Sequence, residues 1–181
     1  CAKEADGLAD VGSPLVGREV RIVDDEVWLR AASMAQGYWR NGQLIPLVNA
    51  EGWFATRDRG VLKDGKLTIV GRMDNLFFSG GEGIQPEEVE RVIAAHPHVL
   101  QAFIVPIEDK EFGHRPVAVV EYDTNAGDTN LAEWVKDKLA RFQQPVCWLT
   151  LPPELKSGGI KISRRALSDW VSASLFKLSK Q

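Results

Sequence analysis

Residues 71–90 read GRMDNLFFSGGEGIQPEEVE, and this stretch carries the chain from sheet to helix. A β-type run over residues 66–70 ends at Gly71. The charged step Arg72-Met73-Asp74, the apolar run Leu76-Phe77-Phe78 and the turn Ser79-Gly80-Gly81-Glu82-Gly83 follow. Pro86 then opens a helix with Glu87 and Glu88 in its first turn. Proline has no N–H to leave unsatisfied at that position, and carboxylates complement the positive end of the helix dipole. The three glycines admit backbone geometry and close approaches that side chains forbid. Taken alone, the stretch is a strand–turn–helix connection.

Working outward, Val89, Val92 and Ile93 give the first helix one apolar face. Residues 99–107 and 117–122 read as buried strands with a turn region over 111–115. Asp128 or Thr129 is placed to cap a second helix, whose stripe is Leu131, Trp134, Val135, Leu139 and Phe142. Residues 146–151 suggest another short strand. Ser163 is placed to cap a last helix that buries Leu167, Trp170 and Val171, with 172–181 expected to fray. Upstream, residues 18–23 and 26–30 pair around Asp24-Asp25, and residues 61–63 and 66–70 pair around Asp64-Gly65, a two-residue hairpin signal. Gly37-Tyr38-Trp39 and Gly52-Trp53-Phe54 fall in less regular sequence, and their aromatic rings are expected to pack inside. The expectation is an α+β chain in two parts. A β-rich first part of about 70 residues makes only a marginal core by itself.

Composition narrows the function. The chain has 181 residues, 44% apolar and 26% charged, with a net charge of −3, which fits a globular protein and offers no basic surface for nucleic acid. No apolar run approaches the roughly 20 residues of a membrane span, and no signal-peptide pattern is present, so the cytoplasm is the expected compartment. Cys1 and Cys147 make no disulfide framework, and no Cys/His spacing suggests a metal site. Because residue 1 is Cys, the sequence is expected to begin inside a longer product.

Three motifs stand in order along the chain: GWFATRD at 52–58, the stretch 71–90, and KSGGIKISR at 156–164. They resemble the signature motifs of the adenylate-forming superfamily, which includes acyl-CoA synthetases, luciferases and peptide-synthetase adenylation domains. The resemblance implies that residues 1–73 are the terminal β subdomain of a large N-terminal adenylation domain. It implies that residues 74–181 are the mobile C-terminal lid, and that the phosphate loop and acyl pocket lie in a missing N-terminal domain. The reaction implied is a two-step ligation by the full-length parent. A carboxylate attacks the α-phosphorus of ATP, and the CoA thiol then displaces AMP. ATP, CoA and Mg2+ would be the cofactors and a small carboxylic acid the substrate, with no nucleic acid and no membrane span.

The resemblance also assigns roles. Asp58 matches the carboxylate that accepts hydrogen bonds from the ribose hydroxyls, which a charged acceptor does well. Arg72 matches a basic residue near the nucleotide, Asp74 the hinge, and Lys161 the catalytic lysine of adenylation, whose charge would offset that developing at phosphorus. Lys156 is the competing lysine. Gly80, Gly81 and Glu82 match the turn that reaches the active site in the thioester step. The plainer readings are a solvated turn aspartate, a surface ion pair, a loop aspartate, a surface lysine and a tight turn before a helix. Three positions depart from the pattern: Arg57 stands where a glycine usually precedes the ribose-binding aspartate, and Leu155 and Ile160 replace a proline and a glycine of the lysine motif. A peptide-synthetase adenylation domain and a non-catalytic interaction module are the alternatives.

Overall fold

The computed structural model describes residues 10–123, 129–156 and 162–178. The chain is α+β and divides into two compact units, Cys1–Asn75 and Leu76–Gln181.

The first unit contains β1 (Arg18–Val23), β2 (Glu26–Ala31), β3 (Gly37–Arg40), β4 (Gln43–Pro46), β5 (Phe54–Lys63) and β6 (Lys66–Arg72), closed by a 3-10 turn over Met73–Asn75. An antiparallel sheet runs in the order β1-β2-β5-β6, and β3 pairs with β4 as a separate hairpin. Three two-residue loops, Asp24-Asp25, Asn41-Gly42 and Asp64-Gly65, all have positive φ. This is the turn geometry whose twist matches that of paired strands.

The structure corrects two expectations here. Residues 37–40 form a regular strand, because Asn41-Gly42 is itself a hairpin turn. Tyr38 and Trp39 are not packing groups, being 56% and 73% exposed. Trp53, in contrast, is buried, and the guanidinium groups of Arg21 and Arg30 lie 4.2 and 4.6 Å from its ring centroid. The core around Val27 is thin and closely built. A Cβ added at Gly60 would come within 2.6 Å of Val27 Cγ2 and 2.9 Å of the Thr68 carbonyl oxygen.

The second unit contains β7 (Phe77–Ser79), β8 (Glu82–Ile84), α1 (Pro86–Ala94), β9 (Val99–Asp109), β10 (Gly113–Tyr122), α2 (Leu131–Lys136), β11 (Cys147–Thr150), α3 (Pro153–Lys156) and α4 (Arg164–Leu178). The sheet runs β11-β10-β7-β8, with β9 antiparallel on the other side of β10 and β11 parallel to it. Val117, Ala118, Val119 and Val120 are all fully buried. Alternation explains why. Ala118 and Val120 join Val89 and Ile93 of α1 and Leu131 and Val135 of α2 in one core, while Val117 and Val119 join Leu167 and Val171 of α4 in another. A strand covered on both faces reads as an unbroken apolar run.

α2 is shorter than the apolar stripe implies: it ends at Lys136, and Leu139 and Phe142 pack from beyond its end. Its N-cap is Asn130, whose side chain accepts from the Glu133 N–H, and not Thr129; Asp128 lies outside the described residues. Ser163 Oγ accepts from the Ala166 N–H, as a cap does. The helix that follows continues to Leu178 rather than fraying from Ser172.

β9 is an edge strand, yet its outward backbone groups at Ile104 are occupied. Glu90 Oε1 accepts from the Ile104 N–H at 2.8 Å, and Arg164 Nη1 donates to the Ile104 carbonyl at 3.3 Å. Arg164 Nη2 closes the clasp on Glu90 Oε2 at 2.9 Å. Burial raises the Glu90 carboxyl above its ordinary range, and the Arg164 hydrogen bond offsets part of that rise.

Candidate functional site

In the first unit the predicted residues converge on the ends of β5 and β6, where Asp58 and Arg72 are directly opposed. β5 is irregular here. Pairing with β2 shifts register between Glu26 and Trp28, and pairing with β6 shifts between Arg59 and Gly60. Arg57 sits within this distortion at φ +65°. The left-handed conformation that a glycine would supply at little cost is therefore kept by an arginine. Its N–H is held by Glu26 Oε1 at 2.7 Å. Thr56 Oγ1 donates to the Val27 carbonyl at 2.8 Å and accepts from the Asp58 N–H at 3.0 Å, which fixes the backbone that carries the Asp58 carboxylate.

Four charges alternate across this end of the sheet. Arg72 Nη1 donates to Asp58 Oδ1 and to the Thr56 carbonyl, each at 3.0 Å. Arg72 Nη2 reaches Asp74 Oδ2 at 3.1 Å. Arg57 grips the other oxygen of Asp74, with Nη2 at 2.6 Å and Nε at 3.2 Å from Oδ1. The hydrogen bond from Arg57, and then that from Arg72, holds the Asp74 carboxyl below its usual range. Hydrogen bonds to Asp58 and then Asp74 raise the Arg72 guanidinium in turn. The Asp58 side chain is 35% exposed, so a water-accessible carboxylate is presented beside a guanidinium fork. That arrangement suits a polyhydroxyl, anionic ligand.

In the second unit, Gly80 and Gly81 form the two-residue loop of the β7–β8 hairpin, with Ser79 opposite Glu82. Both have positive φ, +59° and +86°. The Gly80 N–H donates to the Phe112 carbonyl at 2.9 Å, and a Cβ on Gly80 would lie 3.0 Å from the Phe112 ring. A Cβ on Gly81 would meet nothing within 4 Å. Glu82 is exposed. Phe112 is in turn fixed by Asp109, whose Oδ1 accepts from the N–H groups of Glu111 and Phe112, both at 2.9 Å. Those two bonds, Phe112's first, hold the Asp109 carboxyl below its ordinary value. Asp109 and Phe112 support the glycine turn, and sequence reasoning missed both. The only available signal was an aspartate four residues before Gly113, an ordinary turn pattern.

Lys161 lies outside the described residues. On either side of it, Leu155 and Ile162 pack against the core that holds Leu167 and Val171. Lys156 Nζ is engaged with Glu121 Oε1 at 2.8 Å. Among the described residues no group of three or more His, Cys, Asp or Glu is placed to hold a metal ion, and no helix is long and apolar enough to cross a membrane.

Comparison with known proteins adds to this geometry. Residues 88–156 match the family model described as the AMP-binding enzyme C-terminal domain. The chain is 82% identical to 2-succinylbenzoate–CoA ligase of Escherichia coli and 81% identical to that of Salmonella typhimurium, each over 171 residues and 94% of this chain. It spans about 38% of the length of these relatives. Among solved structures, an E. coli MenE with bound OSB-AMS superposes with a TM-score of 0.84 and 81% identity, over 94% of this chain and 37% of that one.

Proposed function

We propose that this chain belongs to the adenylate-forming superfamily and is the C-terminal part of a 2-succinylbenzoate–CoA ligase of menaquinone biosynthesis. The observation that carries the reading is the Asp58–Arg72 pair at 3.0 Å, set on facing strands next to Asp74. The 82% identity to the E. coli ligase over nearly the whole chain supports the choice of substrate. In this reading residues 1–73 end the adenylation domain and residues 74–181 form the lid.

The chemistry has two steps. An oxygen of the 2-succinylbenzoate carboxylate attacks the α-phosphorus of ATP, the bond to pyrophosphate breaks, and an acyl-adenylate forms. The CoA sulfur then attacks the acyl carbon, and AMP leaves. Asp58 accepts from the ribose hydroxyls, and the hydrogen bond from Arg72 keeps that carboxylate oriented. Lys161 supplies positive charge to the first step, where preorganised charge lowers the barrier most. Gly80 and Gly81, with Glu82, form the turn that lets the pantetheine arm pass beside backbone in the second step. Mg2+ enters only as the companion of ATP, and no residue of this chain is assigned to it.

Asp58→Ala in the full-length protein tests the nucleotide role. Loss of a charged acceptor for hydroxyl donors should raise KM for ATP roughly 10- to 100-fold. An unchanged KM would refute the assignment. Equal turnover of 2-succinylbenzoate and plain benzoate would refute the substrate.

A further inference from the structure

Arg57 is the one residue of the charge network for which the reading above gives no task. It occupies a left-handed backbone position at φ +65°, where a bulky L-residue is strained, and Glu26 holds its N–H there. That conformation aims the side chain at Asp74, and two guanidinium nitrogens engage one carboxylate oxygen. Asp74 belongs to the last turn of the first unit, which ends at Asn75. The ion pair thus fastens the segment through which the chain leaves the first unit.

We propose that Arg57 is a positioning residue for Asp74, a latch that must open before the backbone at Asp74 can turn. The inference rests on the reading of Asp74 as the hinge between the two half-reactions. A glycine at 57 would supply the same backbone and no latch, so the arginine adds a control that a glycine lacks. The side chains of Arg57 and Asp74 are 57% and 52% exposed, so the latch is weak and salt-sensitive. A weak latch suits a hinge that must open on every turnover. The charged groups around it are Arg72, which holds the other oxygen of Asp74, and Glu26 behind Arg57.

The test uses the full-length protein with Arg57→Asn, which tolerates left-handed backbone and carries no charge, and Arg57→Lys, which keeps the charge without the fork. Two measurements are made. NMR follows the titration of the Asp74 carboxyl. Rapid-quench single turnover follows the delay between acyl-adenylate and thioester. Arg57→Asn should move the Asp74 titration up and shorten the delay about 2- to 5-fold, the range open to an exposed ion pair. Arg57→Lys should fall between. Added salt should shorten the delay in the parent protein and shorten it less in Arg57→Asn, where only the exposed Arg72–Asp74 pair remains to be screened. An unmoved Asp74 titration would overturn the latch, as would a moved titration with an unmoved delay. Lys161→Ala serves as the separate control. If it leaves acyl-adenylate formation intact, the reading of the two half-reactions fails, whatever Arg57 does.

Discussion

A carboxylate, a guanidinium and a turn of two glycines are the described groups to which the proposed function gives roles, and each is set by neighbours of a different kind. Asp58, Arg72 and Asp74 were singled out by the resemblance of the motifs that carry them, and the β5–β6 hairpin brings the two segments together. Phe112 was not, because its partner Gly80 lies about thirty residues upstream and the contact is a backbone hydrogen bond that any residue type can make, and Asp109 acts on that turn only through Phe112. The two half-reactions should separate at single residues of the full-length protein. Lys161→Ala should slow adenylation on the order of 10²-fold while sparing thioester formation from preformed acyl-adenylate. Gly81→Leu should do the reverse, because it places a side chain at φ +86° on the proposed pantetheine path. Equal slowing of both steps by both substitutions would contradict the assignment. Asp109 offers a pH test. Its carboxyl is lower in the folded state than in the unfolded one, so its contribution is present above the ordinary value and is lost as pH falls through the folded one. The melting-temperature gap between the parent and Asp109→Ala should therefore be constant near neutrality and narrow in strong acid.

Among the elements, the strands and helices with strong periodicity were found, and the misses have local causes. α2 stops after Lys136 although apolar residues continue, because Leu139 and Phe142 reach the same core from a non-helical path. The β3–β4 hairpin was overlooked although Asn41-Gly42 announces it, because its aromatic residues suggested burial and the strands are instead exposed. The joint of α1, β9 and α4 was invisible, since nothing in local sequence pairs Glu90 with Arg164. Arg164→Gln removes the charge that faces a mostly buried carboxylate and should cost about 1–3 kcal/mol in denaturant unfolding, the usual penalty for an orphaned polar partner. The Glu90 carboxyl is already above its ordinary value in the folded state. Its protonation therefore favours the fold, and stability from this group rises as pH falls through the folded value. In Arg164→Gln the Glu90 titration should move higher still. A titration that stays in place would show the pair to be electrostatically idle.

At the scale of the whole chain, the two units should differ in durability. The second has apolar cores on both faces of its sheet, and the first has a thin core around Val27 and Trp53. Amides of β9 and β10 should be the slowest to exchange with deuterium, and those of β1 and β2 markedly faster. Better protection in the first unit would contradict the packing argument. The change from hairpin strands to mixed strands and helices was legible in turn signals and apolar periodicity, but composition marks no boundary, and the division at Asn75 is a property of three-dimensional contacts. The clasp on Ile104 has a further consequence, for colloidal behaviour. An open edge strand is a template on which another strand can add, and such addition seeds aggregates and fibrils. Glu90 and Arg164 fill the donor and acceptor that a visiting strand would need at the middle of β9, and they put two charges in its way. The clasp therefore acts as a gatekeeper against self-assembly. Replacing both residues by alanine should turn a clear solution into one that scatters light and binds thioflavin T increasingly with concentration.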